Sequence, residues 1–329
     1  AAKNIAARNG RRYPEHDFGT NPCSEIILRP NQFCNLSEIV VRSDDNLDSL
    51  NTKAEVAAII GTLQATLTDF RYLRNIWKRN TEEEALLGVS MTGIMDHKIL
   101  SGSNSKELEK WLESIKNVAI KTNKAWAFKL GINQSAAITC VKPSGTVSQL
   151  VDSASGIHPR FSKHYIRRVR SDKKDPLANF MSEVGFPFEQ DIMSDASLVF
   201  SFPVKAPKNA VTVSDVGAMQ QLELWKIYQN HWCEHKPSIT VYYTDDEFLE
   251  VAQWIWNNFD LCSGISLLPY SDHVYQQAPY ENIDVDKYKE LLGSMPKNVN
   301  WTDLVNYEQE DNTIGSQELA CVGGACEIV

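Results

Sequence analysis

The residues best suited to chemistry in this 329-residue sequence lie in a short segment near its start. Asn21, Cys23 and Glu25 occupy alternate positions, and a second cysteine follows at Cys34. In an extended strand, alternate side chains point to one face, so a single small molecule could contact all three. A carboxylate can take a proton, an amide can orient a hydroxyl, and a thiol can act as a nucleophile or exchange a hydrogen atom. The segment therefore predicts a site for a substrate with sugar-like hydroxyls.

The elements around this segment indicate an α/β fold. Strands are predicted at 24–28 and 36–41, either side of a Pro-Asn turn, and further strands at 136–141, 210–213, 238–243 and 264–268. Helices are predicted at about 52–78, from Thr81 onward, at 105–131, at 218–231 and at 245–259. Alternating strands and helices predict a mostly parallel sheet with covering helices.

Composition narrows the class of protein. The chain has 42 acidic and 33 basic residues and a pI of about 5.4, which disfavours a partner made of nucleic acid. The sequence contains no apolar run of membrane-spanning length, and its first residues have no signal-peptide core. Its seven cysteines are odd in number and scattered, unlike a secreted disulfide scaffold. We therefore expect a cytoplasmic protein without a membrane partner.

Several motifs together resemble one enzyme family. They are Arg8-Asn-Gly-Arg-Arg12, the segment from Pro14 to Cys23, Lys142-Pro-Ser-Gly-Thr146, Ser263-Gly-Ile-Ser266 and Cys321-Val-Gly-Gly-Ala-Cys326. With the spacing of Cys23 and Cys34, they closely resemble the adenosylcobalamin-dependent (class II) ribonucleotide reductases, and most closely the monomeric ribonucleoside-triphosphate type. The resemblance covers essentially the whole chain, but it corresponds to the C-terminal part of the family, roughly half of a full enzyme.

The resemblance implies roles for the N-terminal residues. The cysteine matching Cys23 carries a thiyl radical that removes the 3′ hydrogen of the ribose, the glutamate matching Glu25 accepts the 3′-hydroxyl proton, and the asparagine matching Asn21 binds the ribose hydroxyls. Cys34 matches a reducing cysteine whose disulfide partner lies upstream in the family, whereas residues 1–22 contain no cysteine. We therefore expect either a fragment or a split enzyme that needs a separate or missing N-terminal half.

The C-terminal cysteines, Cys321 and Cys326, have four residues between them on a segment with two glycines. Such a spacing is compatible with a disulfide or with half of a zinc site, but no Cys or His lies nearby upstream, so no metal is predicted. The resemblance implies a mobile redox tail that re-reduces the active site and is recharged by thioredoxin or a similar dithiol. A thioredoxin-like carrier built on this pair alone explains none of the N-terminal residues.

The Lys142-Pro-Ser-Gly-Thr146 segment follows an apolar strand and could hold phosphate through backbone N–H groups, hydroxyls and the lysine. It lacks the P-loop pattern and could be a simple connection. The resemblance favours binding of the substrate phosphates by Ser144, Gly145 and Thr146. His158 and the basic run at 163–170 could face polyphosphate, cofactor or water, and a charge run is usually a solvated face. The remaining candidates are expected to be structural: His231, His235, Tyr242, Tyr243, Cys140 and Cys262.

The resemblance implies the C-terminal half of a ten-stranded α/β barrel over residues 1–307, with a finger loop at about 14–42, and a flexible tail at 308–329. It also implies radical-based reduction of ribonucleotides, with triphosphates favoured over diphosphates, and adenosylcobalamin as cofactor. An open barrel half exposes sheet edges, so the chain is expected to depend on its missing half. The alternative is a catalytically silent module that binds a nucleotide or a partner.

Overall fold

The structure is a computed structural model that describes residues 1–262, 264–270 and 275–308. The helices are α1 Ala2–Ala7, α2 Leu47–Gln64, α3 Asn75–Glu84, α4 Ser105–Leu130, α5 Gly145–Leu150, α6 Pro176–Glu183, α7 Ala218–His231, α8 Phe248–Asn257 and α9 Val285–Ser294, with 3₁₀ turns at Ile94–Asp96, Val213–Asp215 and Trp301–Asn306. The strands are β1 Gly19–Thr20, β2 Ile27–Leu28, β3 Asn35–Val40, β4 Leu87–Thr92, β5 His164–Asp172, β6 Phe188–Gln190, β7 Ser197–Lys205, β8 Ile239–Tyr243, β9 Ile265–Pro269 and β10 Tyr280–Asn282.

The chain divides into two compact units. The first, here called the site unit, comprises Ala1–Arg160 and Lys208–Ser271. The second, here called the sheet unit, comprises Phe161–Pro207 and the described part of Asp272–Val329. The prediction of one barrel half over 1–307 followed by a tail remains a prediction.

Parallel strands form the centre of the site unit. Strand β3 pairs with β4 in parallel register, from Asn35 beside Leu87 to Val40 beside Thr92. Isolated parallel bridges then join Val89 to Thr139 and Val141 to Pro237, and β8 pairs in parallel with β9. Every residue of β4 is buried, as expected for an inner strand covered on both faces. The predicted parallel arrangement with covering helices is therefore present in this unit.

The sheet unit is built differently. Its four strands are antiparallel in the order β10-β5-β7-β6, and helix α9 packs on β5 and β7. Its core consists of Ala178, Phe180, Met181 and Phe200, with aromatic residues packed around them. The expectation of a mostly parallel sheet does not hold here, because β5 and β7 are paired antiparallel along nine consecutive residues.

Two helix starts predicted from capping patterns were wrong. Helix α2 begins after Asn46, whose side chain accepts from the Ser49 backbone in a reciprocal capping box. Thr52 lies inside this helix, where its hydroxyl donates to the Asp48 carbonyl. Thr81 lies in the last turn of α3 and accepts a bond from the Phe33 backbone. The predicted single helix at 52–78 is instead two helices.

Other predicted elements agree with the structure to different degrees. Helix α7 has the predicted limits, and α4 runs from Ser105 to the predicted stop at Gly131, which takes a left-handed φ of 68°. Residues 210–213 are not a strand: Thr212 makes one isolated bridge before a 3₁₀ turn. In the described part of the chain, no helix combines the length and apolar character needed to cross a membrane.

Candidate active site

Cys23 lies at the tip of a tight turn between β1 and β2. Asn21 closes this turn, because its carbonyl accepts from the Ser24 N–H at 2.9 Å and its Oδ1 accepts from the Ile26 N–H at 3.0 Å. Ser24 adopts a left-handed φ of 61°. The turn leaves the Cys23 side chain exposed. Since the Asn21 amide oxygen is used by the backbone, its NH₂ group is the part that could donate to a substrate hydroxyl.

The extended backbone predicted through Asn21, Cys23 and Glu25 is therefore absent. Pro22 fixes a φ suited to a turn, and Ser24 reverses the local chain direction, so the alternation of a strand does not apply. Cys23 is exposed whereas Glu25 is completely buried. The three side chains are still brought to one hairpin, but by a turn.

The Glu25 carboxylate is the most enclosed group of the site. Its Oε1 accepts from the Lys142 Nζ at 2.5 Å. Its Oε2 is buried and has no hydrogen-bond partner in the described part of the chain. A buried oxygen of this kind is costly unless something binds it, so Oε2 is the atom available to a substrate hydroxyl.

Two lysines lie beside this carboxylate, and sequence reasoning missed the role of both. Burial acts against the ammonium of Lys142, but the hydrogen bond and charge of Glu25 outweigh it and raise the Lys142 pKa. Lys236 is 1% exposed, and burial lowers its pKa to about 8 against the opposing charge of Glu25. The Lys236 N–H also donates to the Glu25 carbonyl at 3.0 Å. No local sequence signal links either lysine to Glu25.

Cys34 lies immediately before β3 and is half-buried. It packs against a small apolar cluster containing Leu28, Leu86, Ala136 and Ala137. Burial raises the pKa of the Cys34 thiol, and the charges of Arg12 and Lys142 oppose that rise while the charge of Glu25 adds to it. The thiol is therefore protonated at neutral pH and shares its electrostatic surroundings with the Glu25–Lys142 pair.

Gly88 on β4 makes room for the Cys34 sulfur. A Cβ at this position would lie 3.3 Å from Cys34 Sγ and 2.5 Å from the Leu36 side chain. Any larger residue here would displace the thiol or the neighbouring leucine.

The predicted phosphate loop follows Val141. Ser144 has a left-handed φ of 45°, and its hydroxyl donates to Glu38 Oε2 at 2.7 Å. Gly145 and Thr146 are exposed at the start of α5. The loop therefore presents Gly145 and Thr146, whereas the Ser144 hydroxyl is already engaged by a carboxylate that the sequence had not singled out.

Glu38 is a second buried carboxylate at this site. Burial raises its pKa, and hydrogen bonds from Ser144 and Ser90 and the charge of Lys142 oppose the rise. Its Oε1 is buried without a partner in the described part of the chain. Lys142 thus lies within electrostatic range of both Glu25 and Glu38.

A buried polar frame fixes the hairpin. Arg12 makes a two-point contact with Glu84, at 2.9 and 2.8 Å, and donates to the Ile27 carbonyl at 2.9 Å. His235 Nδ1 accepts from the Ile27 N–H at 3.3 Å while Nε2 faces the Leu87 carbonyl at 2.9 Å. Burial lowers the His235 pKa to about 3, so its ring is neutral. This frame ties the Cys23 hairpin to α3 and β4.

The remaining candidates occupy structural positions. His158 Nε2 accepts from the Thr240 N–H at 2.9 Å, His231 pairs with Glu113 at 2.8 Å, and Arg168 and Arg170 form ion pairs on β5. Cys140 is buried in the core and Cys262 is half-buried. The predicted tail cysteines, Cys321 and Cys326, lie outside the described residues.

Comparison with known proteins finds relatives that carry the same name. No family model matches the sequence. The adenosylcobalamin-dependent ribonucleoside-triphosphate reductase of Lactobacillus acidophilus is 28% identical over 340 residues, covering 94% of this chain and 45% of that protein. The protein of the same name from Lacticaseibacillus paracasei is 27% identical, covering 98% of this chain and 47% of that one. The chain spans about half the length of the curated relatives it matches.

A solved structure described as a B12-dependent (class II) ribonucleotide reductase superposes on 89% of this chain and 44% of that one, with a TM-score of 0.77 and 26% identity. The chain is a relative of the class II ribonucleotide reductases. The alpha subunit of the class Id reductase of Actinobacillus ureae is 11% identical with a TM-score of 0.51, covering 82% and 55% of the two chains, a likeness of fold alone. The predicted α/β reductase fold and the predicted resemblance to the class II reductases are confirmed.

Proposed function

We propose that this chain carries the catalytic hairpin of a ribonucleoside-triphosphate reductase and, with an N-terminal half, reduces ribonucleotides to 2′-deoxyribonucleotides. The observation that supports this most is the pairing of an exposed thiol, Cys23, with the completely buried carboxylate Glu25 two residues later. The oxygen Oε2 of that carboxylate has no protein partner in the described part. The names of the relatives supply the reaction that such a pair would serve.

In the proposed reaction, a radical on the Cys23 sulfur takes the 3′ hydrogen of the ribose and becomes a thiol, leaving a radical at C3′. Glu25 accepts the proton of the 3′-hydroxyl through Oε2. The Asn21 NH₂ orients the sugar hydroxyls. The 2′-hydroxyl leaves as water with a proton from one reducing thiol, and C2′ receives a hydrogen from the other, so that Cys34 and a second cysteine outside this chain supply two electrons as their disulfide forms. The 3′ hydrogen then returns from Cys23 to C3′, which restores the Cys23 radical, and Glu25 returns the proton to the 3′ oxygen.

The cofactor named for the relatives is adenosylcobalamin, which when bound supplies the initial organic radical. An exposed Cys23 side chain at the tip of a turn fits such a group, because the sulfur can be reached from outside the hairpin. Cys23 is the residue proposed to receive the radical, and no described residue is assigned to hold the corrin. Gly145 and Thr146, with Ser144 shaping the loop, are proposed to hold the substrate phosphates, with triphosphate favoured over diphosphate.

The remaining partners belong to the same proposal. Cys321 and Cys326 are proposed to reduce the Cys34 disulfide by thiol exchange and to be recharged by thioredoxin or a similar dithiol. A cytoplasmic location suits this chemistry, since reduced thiols persist there.

The test combines the purified chain with a separately expressed N-terminal half of the Lactobacillus acidophilus relative, adenosylcobalamin, dithiothreitol and ATP or CTP. We expect 2′-deoxynucleotide to form. Cys23→Ala and Cys34→Ala should abolish turnover, and Glu25→Ala should lower it by about 10²–10⁴-fold. Glu113→Ala is the matched control for Glu25→Ala, since the Glu113 carboxylate is 58% exposed and pairs with His231, and this variant should retain activity. Nucleotide binding without turnover under complementation would instead favour the silent binding module.

A further inference from the structure

The ammonium of Lys142 is directed at Glu25 and makes a close contact with it. The Nζ–Oε1 distance is 2.5 Å, and the Glu25 side chain has no solvent exposure while that of Lys142 is 28% exposed. The Lys142 backbone N–H donates to Ser90 Oγ at 2.9 Å, which fixes the lysine at the end of its strand segment. The sequence placed this lysine among the groups that could hold phosphate, but its charged end faces the carboxylate.

A buried carboxylate needs a nearby positive charge. Removing one partner of a buried ion pair leaves the other uncompensated and is strongly unfavourable. The Glu25 hydrogen bond and charge also raise the Lys142 pKa despite burial, so the attraction is felt by both partners. Oε1 is occupied by this contact, and Oε2 is left as the oxygen without a partner in the described part of the chain.

We propose that Lys142 is a positioning residue for Glu25, which balances the carboxylate charge and holds Oε1 so that Oε2 faces the sugar hydroxyl. This inference rests on the proposed function and deepens it. The carboxylate is then fixed in one orientation before substrate arrives.

The competing role for Lys142 is phosphate binding, and the two roles predict different kinetics. A phosphate-binding lysine contributes to substrate affinity, so its loss raises KM and leaves kcat nearly unchanged. A lysine that orients the base acts in the chemical step, so its loss lowers kcat with little change in KM.

The groups that act electrostatically on this pair come from several elements. They are Lys236 after α7, Glu38 on β3, Cys34 before β3, Cys23 on the hairpin and Cys140 before Lys142. Since Lys236 and Glu38 also titrate or carry charge near the site, a pH profile of activity alone would not isolate Lys142. Its own titration must be observed directly.

The kinetic experiment uses the complemented enzyme. Lys142→Met should lower kcat by about 10²-fold or more with KM within about threefold of wild type, and Lys142→Arg should restore part of kcat because it keeps a cation. The double variant Glu25→Gln/Lys142→Met should be no slower than Glu25→Gln, since both changes remove one functional unit. Lys53→Met is the matched control: it removes an ion pair of 2.6 Å with Asp45 elsewhere in the site unit and should leave kcat unchanged.

A second experiment needs no turnover. The chain is labelled with ¹³C at the lysine Cε and titrated by NMR. The Lys142 signal is assigned by its loss in Lys142→Arg, and it should remain that of an ammonium up to pH 10. Glu25→Gln should lower the midpoint of Lys142 by at least about one pH unit, because burial then acts unopposed by the carboxylate. Asp45→Asn should not move it.

The outcomes separate the inference from the function on which it rests. A Lys142→Met variant with wild-type kcat, or with raised KM alone, overturns the positioning role while the reductase activity stands. An unchanged Lys142 titration in Glu25→Gln overturns it as well. If wild type gives no deoxynucleotide after complementation, the proposed function fails, and the titration still decides whether the pair exists.

Discussion

The two units of this chain bury different kinds of side chain. In the site unit the interior includes charged groups such as Arg12, Glu25, Glu84 and Lys236. In the described part of the sheet unit, the buried polar side chains are Asp191 and Gln277, and the core is apolar with several aromatic residues. Both units contain ion pairs. In the sheet unit, Arg168 on β5 pairs with Glu281 and Glu189, which remain partly exposed, while Asp191, paired with Arg170, is buried.

This difference indicates where the sequence is constrained by chemistry. Burying a charge costs free energy unless it is paired, and a well-packed apolar group of the same volume would often serve stability as well. The sheet unit follows that simpler solution. The site unit instead keeps a frame of buried ions around a hairpin with an exposed thiol, which is understandable if the frame positions reactive groups.

The largest expected effect comes from breaking the buried frame. Arg12→Met leaves Glu84 without its two-point partner, at side-chain exposures of 1% and 6%, so we expect the free energy of unfolding to fall by about 3–5 kcal/mol. Arg168→Met removes the Glu281 pair of the sheet unit, which is 37% exposed on the glutamate side, and should cost no more than about 1 kcal/mol. Urea denaturation of both variants measures the difference. Equal losses in the free energy of unfolding would mean that the buried ion pair stabilises the fold no more than the partly exposed one.

The next largest effect is expected at one of two glycines that have similar positive φ angles. Gly93 in the site unit has a φ of 83°, and a Cβ there would lie 2.4 Å from the Val41 carbonyl oxygen. Gly185 in the sheet unit has a φ of 91° and open space around it. We expect Gly93→Ala to lower the free energy of unfolding by about 2–4 kcal/mol, from strain and overlap together, and Gly185→Ala by about 1–2 kcal/mol from strain alone. Thermal unfolding of the pair tests this, and a larger loss for Gly185→Ala would contradict it.

A pH-dependent effect on stability should appear in acid. His235 is neutral in the folded site unit with a pKa of about 3, whereas the unfolded chain takes up this proton near pH 6.5. The unfolded state therefore binds more protons between these values, and stability falls as the pH falls, by up to about 1.4 kcal/mol for each pH unit. His235→Gln should remove this contribution from the slope of unfolding free energy against pH. His231→Gln, at a surface pair with Glu113, should retain it.

Some helices and site residues could be predicted from the sequence because their signals are local. Periodicity and stop signals located α7 and α4, because their apolar faces and the left-handed Gly131 are local features. The motifs located Cys23, Glu25 and Cys34 on one hairpin and its adjoining strand. The turn at Cys23 was missed because the strand pattern took no account of the left-handed Ser24.

The partners of Glu25 could not be predicted for a different reason. Lys142 and Lys236 are far from Glu25 in the sequence. A parallel bridge between Val141 and Pro237 brings the two lysines together, and the Lys236 N–H and the Lys142 ammonium then bond to Glu25. The same holds for the contact of Ser144 with Glu38. Contacts between segments that are far apart in the chain leave no local pattern in the sequence. From the sequence alone, an isolated lysine on a loop is therefore interpreted as a phosphate ligand or as a solvated charge.

The smallest expected effect concerns the ends of two helices, one in each unit. Asn46 caps α2, which packs on β3, β4 and α4, whereas Asp284 caps α9, which has no buried residue. Loss of either cap in Asn46→Ala or Asp284→Ala should cost about 1 kcal/mol. Because α9 is held by few buried contacts, Asp284→Ala should speed amide exchange within α9 alone, while Asn46→Ala should lower the stability of the packed site unit as a whole. Hydrogen exchange read residue by residue distinguishes the two. Local exchange confined to α2 after Asn46→Ala would show that its packing against β3 and β4 is weaker than the buried interior of that unit implies.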